Sequence, residues 1–218
     1  MEAPSLERVW RQLLPLQISF SAGVEPASVR LSPTERRSLP GAGALRLREF
    51  AAGRWHAKRA LAGLGCRDVD LPRRADGAPA WPDGVVGSVA HAWHGERVHV
   101  IAAVVQAGAF AALGVDLEPP GLIEPRAWPA LLSSAQLDRV LALPVAQRGD
   151  AVRALWCVKE AVAKAGGAAR ELSEIEIALD PGSGRFAADG QVGRVVQEAG
   201  WTFAAALRFA PGASADWP

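Results

Sequence analysis

Residues 85–118 constrain the fold more than any other part of the chain. Their sequence, VVGSVAHAWHGERVHVIAAVVQAGAFAALGVDLE, is rich in small and β-branched residues and is interrupted by turn residues at HGE and QAG. This pattern is typical of successive short β-strands. The longest apolar run in it, residues 98–115, contains His99, Gln106 and two glycines, which favours a pair of strands over a membrane-spanning helix.

Helices are predicted on both sides of this strand region. Residues 45–65, 134–142 and 150–166 place apolar side chains at the three- and four-residue spacing of a helix face. The first segment ends at Gly65 and the last at a glycine pair that starts at Gly166, and glycine commonly ends a helix. Beyond residue 170 the sequence resumes a strand-like pattern that predicts a second sheet. The expected fold class is therefore α+β.

Two of the predicted helices share a short pattern. The segment WHAKRALAGLG (55–65) aligns with WCVKEAVAKAGG (156–167), although chance explains the match as well as a duplication does in an alanine-rich chain. Each helix is followed by predicted strands, which favours two similar α+β halves. We expect an N-terminal half, residues 1–107, with the basic helix and the GSVAH segment, and a C-terminal half, residues 108–218, with the GVDLE strand and the WCVKEAVAKA helix. The identical pairs include Trp55 and Trp156, Lys58 and Lys159, Ala60 and Ala161, and Ala62 and Ala163.

Overall charge and cysteine content argue against several classes of protein. The formal net charge is +1, which gives no global field for nucleic acid or a membrane surface. Cys66 and Cys157 lie far apart and form no CxxC motif, which indicates a reducing compartment. The first residues, MEAPSLERVWRQLL, lack the apolar core of a signal peptide. We therefore expect a cytoplasmic protein that binds neither nucleic acid nor membranes.

The distribution of lysine is unusual. The chain holds three lysines and 21 arginines, and two of the lysines fall in WCVKEAVAKA, residues 156–165. On a helix, Lys159, Glu160 and Lys164 are predicted to lie opposite the apolar stripe. A solvent-exposed ion pair between Glu160 and Lys164 is one explanation. It does not account for the choice of lysine over arginine, whereas a compact ammonium group suits a single phosphate oxygen in a tight site.

An acidic strand precedes this helix. In GVDLE (114–118) Asp116 and Glu118 point to one face of the predicted strand, about 7 Å apart along it, while the alternate residues point to the core. Solvated acids on an edge strand are one interpretation. If Glu160 joins them, the three carboxylates repel one another unless a cation intervenes. Oxygen donors alone favour Mg²⁺.

Basic residues and a histidine lie upstream of the acidic strand. Arg46, Arg54 and Lys58 fall on the first predicted helix, and Arg73 in the loop that follows it. They are candidate phosphate ligands or solvated charges. His91 in SVAH is a candidate phosphate contact or a structural histidine.

Together these pieces resemble a known family. GVDLE, followed about 40 residues later by WCVKEAVAKA, is similar to the paired signature of the 4′-phosphopantetheinyl transferases, whose second motif has the form WxxKEAxxKA. The segments REFAAGRWHAKRAL, GAPAWPDGVVGS and SVAH resemble the bacterial siderophore and mycobacterial type, the Sfp-like group. The resemblance spans residues 45–167. All six specified positions match: Trp156, Lys159, Glu160, Ala161, Lys164 and Ala165.

The resemblance implies a monomer of two halves related by a pseudo-twofold axis, with coenzyme A in the cleft between them. It implies that Asp116, Glu118 and Glu160 hold Mg²⁺, with Mn²⁺ as an alternative, on the CoA pyrophosphate, and that these residues and Lys164 form the catalytic set. The CoA contacts that it implies are Arg46, Arg54, Lys58, Arg73, His91, Lys159 and Lys164.

The implied reaction moves 4′-phosphopantetheine from CoA to a serine of an apo carrier protein, peptidyl or acyl, and releases adenosine 3′,5′-bisphosphate. Glu160 is the expected general base, with Glu118 as the alternative. The pathway served, for siderophores, nonribosomal peptides or polyketides, stays open. The alternatives are a non-catalytic CoA-binding protein of the same fold and a Mg²⁺-dependent hydrolase of CoA or nucleotide pyrophosphates.

Three positions depart from the family pattern, and one segment is expected to bind the carrier. Ala90 and Ala92 flank His91 where the family often has hydroxyl residues, and Ala78 replaces a residue that is often charged. Residues 127–143 (AWPALLSSAQLDRVLAL), with Arg126 and Arg139, are the expected docking surface for an acidic carrier.

Overall fold

The computed structural model describes residues 4–166 and 171–213. The chain opens with helix α1, which buries Leu6, Val9, Trp10 and Leu13 along one stripe at helical spacing. Strand β1 then leads to a short helix, α2, and a long helix, α3. The bounds of these elements are Leu6–Leu13 for α1, Ser19–Val24 for β1, Pro33–Arg37 for α2 and Ala44–Gly63 for α3.

Helix α3 confirms the prediction for residues 45–65. It ends at Gly63, and Gly65 follows the Leu64 cap at a φ of 81°, a left-handed conformation that glycine adopts without steric cost. Ala57, Ala60 and Leu61 of α3 pack in one cluster with residues of the first sheet. This packing leaves another face of α3 free to line a cleft.

The first sheet contains three antiparallel strands in the order β1-β3-β2, where β2 is Val85–His94 and β3 is Arg97–Gln106. The predicted HGE turn is confirmed, because β2 and β3 form a hairpin around Gly95 and Glu96. Gly95 takes a φ of 60°, which suits such a turn. Strand β3 is central and buried along most of its length.

The next strand, β4, leaves this sheet and becomes the edge of the second one. The second sheet has the antiparallel order β4-β8-β7-β6-β5. Both strands expected in residues 98–115 form, but they do not pair as a hairpin, because β4 takes β8 as its neighbour. The bounds are Phe110–Glu118 for β4, Trp128–Leu131 for α4, Ser134–Leu141 for α5, Val145–Gly166 for α6, Ala178–Leu179 for β5, Arg185–Ala188 for β6, Gln191–Glu198 for β7 and Trp201–Phe209 for β8.

Helix α6 packs across β4 and β8 and begins at Val145, five residues before the predicted start. Gly114 of β4 permits this contact, since a Cβ there would lie 1.9 Å from the carbonyl oxygen of Ala161. The close approach brings the end of β4 beside α6. The helix reaches Gly166, and Gly167, the second residue of the expected stop, lies outside the described residues.

The two sheets meet where β2 lies beside β4. The backbone N–H of Val115 donates to Ser88 Oγ at 3.1 Å, and one apolar cluster contains Ala90 and Ile101 from the first sheet together with Leu117 from the second. The α+β class is confirmed, with two antiparallel sheets each covered by a long helix. The boundary at residues 107 and 108 and the pseudo-twofold relation stay predictions. Within the described residues, each helix is too short or too polar to cross a lipid bilayer.

Candidate functional site

The acidic end of β4 has the side-chain arrangement that the sequence predicts. Val115 and Leu117 are buried in the core, whereas Asp116 and Glu118 contact residues of α6. Asp116 is itself only 4% exposed. The alternation of a strand therefore directs two carboxylates toward α6, while the opposite face secures the strand in the core.

Helix α6 supplies the partners of these acids. Lys164 Nζ donates to Asp116 Oδ1 at 2.5 Å and lies 3.9 Å from Glu160 Oε2. Trp156 Nε1 donates to Glu118 Oε1 at 2.6 Å. The four predicted catalytic residues, Asp116, Glu118, Glu160 and Lys164, thus lie together between one strand and one helix.

The pKa values show that the acids interact. Burial raises the pKa of Asp116 despite Lys164 beside it, and burial together with the charge of Asp116 raises the pKa of Glu118 to about 7. Burial, with a contribution from Asp116, also raises the pKa of Glu160. Although burial opposes its charge, the pKa of Lys164 is raised because Asp116 stabilises the ammonium form. The cluster is therefore short of positive charge.

The three carboxylates are suitable ligands for a divalent cation, but their side chains are not positioned around a common metal site. Within residues 4–166 and 171–213, no three His, Cys, Asp or Glu side chains are arranged as the ligands of a metal ion. Lys164 instead serves as the counter-ion. Asp116 Oδ2, however, is buried without a hydrogen-bond partner among the described residues. An orphaned carboxylate oxygen beside two further acids with raised pKa values suits a hard cation such as Mg²⁺.

A basic wall lines a cleft of about 530 Å³, and Lys164, which also lines it, connects this cleft to the acidic cluster. The cleft is formed by α3, β2, the loop around Gly77 and the last turns of α6. It brings together five of the residues predicted to contact CoA: Arg46, Arg54, Arg73, His91 and Lys164. Segments far apart in sequence therefore converge on one cavity.

Arg54 is the deepest cation in this wall. It is 5% exposed, its Nε donates to the carbonyl oxygen of Leu71 at 2.5 Å, and its guanidinium carbon lies 3.9 Å from the ring centroid of Phe50. Burial lowers the pKa of Arg54 to about 10, so the group stays charged at neutral pH. One guanidinium nitrogen is buried without a partner in the described part of the chain. Such a cation suits an anionic group of a ligand.

Sequence reasoning missed Glu49, which also lines the cleft. Its carboxylate accepts a hydrogen bond from Arg46 NH1 at 2.9 Å, and the same NH1 lies 3.3 Å from His91 Nε2. Burial lowers the pKa of His91, so the ring is neutral and Nε2 accepts from Arg46. The available signal was the spacing of Arg46 and Glu49, which lie one turn apart on the same helix.

The prediction that Lys159 faces the cleft is wrong, because α6 buries it completely. Lys159 Nζ donates to the carbonyl oxygens of Leu131 and Leu172, at 2.7 and 2.8 Å. The segments around Leu131 and Leu172 cover this side of α6. The side opposite the apolar stripe is therefore not fully exposed to solvent. Burial lowers the pKa of Lys159 to about 8.

Lys58 is also held away from the basic wall. Its Nζ lies 2.8 Å from Glu35 Oε1, and Glu35 is fully buried at the start of α2, where it also accepts the backbone N–H of Leu71. Lys58 therefore secures the loop that ends at Leu71. Its expected CoA contact is not supported by this placement.

The three alanines that depart from the family pattern lie in two environments. Ala90 is buried in the apolar cluster shared by the sheets, and Ala92 packs against that cluster. Both therefore face away from the cleft that His91 lines. Ala78 does line the cleft, beside Arg73, whereas Arg74 pairs with Asp76 at 3.4 Å.

In the expected docking surface, residues 127–143, most of the large apolar side chains are buried. Its apolar side chains pack against Val152 of α6 in a separate cluster. The buried residues are Trp128, Leu131, Leu132 and Val140. Leu122, Leu141 and Val145, which lie in or beside this region, are instead exposed. The apolar surface available to a partner thus differs from the one that the sequence suggested.

Comparison with known proteins identifies related sequences over both halves. Residues 34–105 match the family model described as the 4′-phosphopantetheinyl transferase N-terminal domain, and residues 112–204 match the 4′-phosphopantetheinyl transferase superfamily. The chain is 39% identical over 170 residues to 4′-phosphopantetheinyl transferase Svp of Streptomyces mobaraensis, covering 75% of this chain and 67% of the relative. Identity to 4′-phosphopantetheinyl transferase Npt of Nocardia iowensis is 31% over 157 residues, covering 69% of this chain and 68% of Npt. Identity to 4′-phosphopantetheinyl transferase PptT of Mycobacterium tuberculosis is 32% over 142 residues, which cover 65% of this chain and 60% of PptT.

Proposed function

The chain belongs to the 4′-phosphopantetheinyl transferase superfamily and is an enzyme of that class, and we propose that it moves 4′-phosphopantetheine from CoA to a serine of an apo carrier protein. The observation that carries the proposal is the position of Lys164, which lines the cleft together with the basic wall and also pairs with Asp116 and Glu160 of the acidic cluster. We propose further that the enzyme acts as a monomer in the cytoplasm.

The proposed step is a displacement at phosphorus. The serine oxygen forms a bond to the β-phosphorus of CoA, and the bond from that phosphorus to the bridging oxygen breaks. Adenosine 3′,5′-bisphosphate leaves with the bridging oxygen, and the serine proton passes to a carboxylate of the cleft. Atoms and charge balance without a further reactant.

The N-terminal half supplies binding in this scheme. Arg54 and Arg46 bind phosphate oxygens as charged donors, and Arg73 lines the same cavity. His91 adds a ring nitrogen close to Arg46. Because these groups are positioned before the ligand arrives, they orient the diphosphate for attack at low entropic cost.

The C-terminal half supplies the chemistry. Asp116, Glu118 and Glu160 would hold Mg²⁺, or Mn²⁺, which when bound polarises the diphosphate and offsets its charge. Lys164 is 31% exposed at the junction and is placed to donate to a phosphate oxygen of the ligand. Its ammonium group then stabilises negative charge that develops on the leaving phosphate.

Two carboxylates can accept the serine proton. Glu160 lies beside Lys164 on α6 and is 30% exposed, which makes it accessible to a protein substrate. Glu118 is the alternative, since its pKa of about 7 in the ligand-free protein is close to that of an efficient base at neutral pH. We keep Glu160 as the base because it lies nearer the solvent.

The carrier would approach from the side of Leu122 and Arg126. Leu122 is 71% exposed, and it lies close to Gly149 of α6. An apolar residue with a nearby arginine suits an acidic helical partner. Leu122→Asp with Arg126→Glu should raise the KM for the carrier without changing the KM for CoA. An unchanged carrier KM would contradict this surface, whereas Leu131→Asp tests only folding because Leu131 is buried.

A panel of apo carriers tests the function. Each carrier, from peptide, polyketide or fatty-acid systems, is incubated with the enzyme, CoA and Mg²⁺, and its intact mass is measured. We expect at least one carrier to gain the mass of a single phosphopantetheine group. CoA binding with no modified carrier would indicate a non-catalytic binding protein, and CoA cleavage without a carrier would indicate a hydrolase.

A further inference from the structure

A carboxylate lies inside the wall that binds anions. Glu49 lines the same cavity as Arg46, Arg54 and His91, and its side chain is 18% exposed. A negative charge at this place repels phosphate, so its presence calls for a compensating role. We propose that Glu49 is a positioning residue, which holds Arg46 against His91 in the geometry that receives an anionic phosphate of CoA.

The carboxylate is fixed from the side away from the ligand. Trp93 Nε1 donates to Glu49 Oε1 at 2.7 Å. The guanidinium carbon of Arg48 lies 4.8 Å from the centroid of the Trp93 ring, and Arg48 makes two hydrogen bonds to the carboxylate of Glu25, one of them from Nε at 2.7 Å. The orientation of Glu49 is therefore set by a chain of contacts behind the cleft.

The other carboxylate oxygen orients Arg46. Glu49 Oε2 accepts from Arg46 NH1 at 2.9 Å and lies 3.9 Å from His91 Nε2, while NH1 also reaches His91 at 3.3 Å. The Arg46 side chain is otherwise 46% exposed. Without Glu49, a long exposed side chain would sample many rotamers and would lose entropy when it binds phosphate.

Glu49 keeps its charge at neutral pH. Burial opposes ionisation, but hydrogen bonds from Trp93 and Arg46 hold the pKa of Glu49 below its ordinary value. Two effects on CoA binding thus have opposite signs. Repulsion predicts that removal of the charge tightens CoA binding, whereas positioning predicts that it weakens CoA binding.

Glu49→Gln separates these effects, because glutamine keeps an oxygen for Trp93 and places an amide against Arg46. This inference rests on the proposed function. We expect the KM and Kd for CoA to rise about tenfold, as for the loss of a hydrogen bond to a charged group. We expect kcat to stay within about twofold and the KM for the carrier to be unchanged, because Glu49 acts only through the CoA ligands. Trp93→Phe, which keeps the ring under Arg48, should raise the Kd less and in the same direction.

The matched control is Glu7→Gln, which removes one negative charge from an exposed ion pair with Arg11 on α1. It should leave the Kd for CoA unchanged. In an Arg46→Ala background, Glu49→Gln should cause no further weakening, since the residue that it orients is gone. Continued weakening in that background would show that Glu49 does not act through Arg46.

Calorimetric titration with CoA keeps the test independent of turnover. If folded Glu49→Gln protein binds CoA as tightly as the wild type or more tightly, the positioning role is wrong. If Glu49→Gln does not fold, the Trp93→Phe variant decides, and an unchanged Kd for CoA in that variant contradicts the positioning role. A wild-type protein that binds CoA but modifies no carrier contradicts the proposed function instead. The two failures are therefore distinguishable.

Discussion

The long helices α3 and α6 occupy comparable places but present different chemistry to one cleft. Helix α3, with 20 residues, contributes Arg46 and Arg54 to the basic wall. Helix α6, with 22 residues, contributes Glu160 and Lys164 beside the acidic strand. In the proposed mechanism, the N-terminal half therefore binds anions, and the C-terminal half would hold the cation and accept the proton. Neither helix alone offers a complete site.

Each helix also buries ionisable side chains, and one on each helix has a purely structural environment. His56 of α3 is 2% exposed, with Nδ1 2.9 Å from Ser21 Oγ and Nε2 3.4 Å from the carbonyl oxygen of Val24. Lys159 of α6 is fully buried against two carbonyl oxygens. The comparison teaches that residue type does not separate a ligand-binding cation from a structural one. The neighbours of each helix face decide the role.

The largest expected effect concerns the chemistry of α6. Glu160→Gln removes an acid from the cluster and should lower kcat by at least about a thousandfold. The Kd for CoA should change far less, because the basic wall stays intact. The melting temperature should stay the same or rise, since one of three mutually repelling carboxylates is gone. Steady-state assays and thermal unfolding measure these effects.

Glu7→Gln, with its exposed charge on α1, is the control for that substitution. A Glu160→Gln enzyme that retains wild-type kcat would contradict the assignment of Glu160 to both the cation site and proton transfer. It would also remove the chemical distinction between α3 and α6.

The free energy of unfolding should depend on pH because of His56, which lies on the buried side of α3. Burial lowers the pKa of His56 to about 4, so the unfolded chain takes up a proton near pH 6.5 before the folded protein does. The free energy of unfolding is therefore unaffected by protonation of His56 above about pH 6.5. It falls as the pH drops toward 4, by up to about 3 kcal/mol. Denaturant unfolding of wild type and His56→Gln between these pH values measures it. Parallel stability curves for the two proteins would contradict the burial of a neutral His56.

The binding role of α3 predicts a smaller effect. Arg54→Met should raise the KM for CoA about thirtyfold, about 2 kcal/mol, because a buried charged donor is lost. The kcat at saturating CoA should change little, since the acids of the other half are untouched. Initial rates over a range of CoA concentrations test the split. A fall in kcat with an unchanged KM for CoA would contradict the proposal that the N-terminal half binds CoA and the C-terminal half carries out the chemistry.

The smallest expected effect concerns Lys159. Lys159→Met should lower the free energy of unfolding by about 1 to 2 kcal/mol, because the carbonyl oxygens of Leu131 and Leu172 lose their donor. The KM for CoA should equal that of the wild type. Denaturant titration and initial rates measure both quantities. A raised KM for CoA with normal stability would place Lys159 among the ligand contacts after all.

Local patterns predicted much of this molecule. The end of α3 just before Gly65, the HGE turn and the alternation around Asp116 follow from geometry within a few residues. The acidic cluster was predictable because strand alternation places Asp116 and Glu118 on one face of β4, and helical spacing places Glu160 beside Lys164 on α6. The signature motifs then assigned the remaining cleft residues by resemblance.

Long-range packing explains what the sequence did not reveal. A helical wheel gives the direction of Lys159 but not the segments near Leu131 and Leu172 that cover it. The strand partner of β4 depends on residues 201–209, about a hundred positions away, so the QAG turn indicated a hairpin that does not form. Glu49 was missed because an acid in a basic segment resembles an ordinary surface ion pair.

The lysine distribution has a physical explanation in three different contacts. Lys58 pairs with the buried Glu35, Lys159 donates to backbone carbonyl oxygens, and Lys164 pairs with Asp116. A compact ammonium group suits the fully buried site of Lys159 best, whereas the side chains of Lys58 and Lys164 are 36% and 31% exposed. Within the described residues, Lys164 alone among the three lines the cleft.

The most direct test of the account is the stoichiometry of the products. A serine-containing apo carrier is incubated with the enzyme, CoA and Mg²⁺, and the modified serine and free adenosine 3′,5′-bisphosphate are quantified together. The account predicts equal amounts of both, with the phosphate attached to the serine oxygen. Nucleotide release without a modified serine, for every carrier tested, would contradict it.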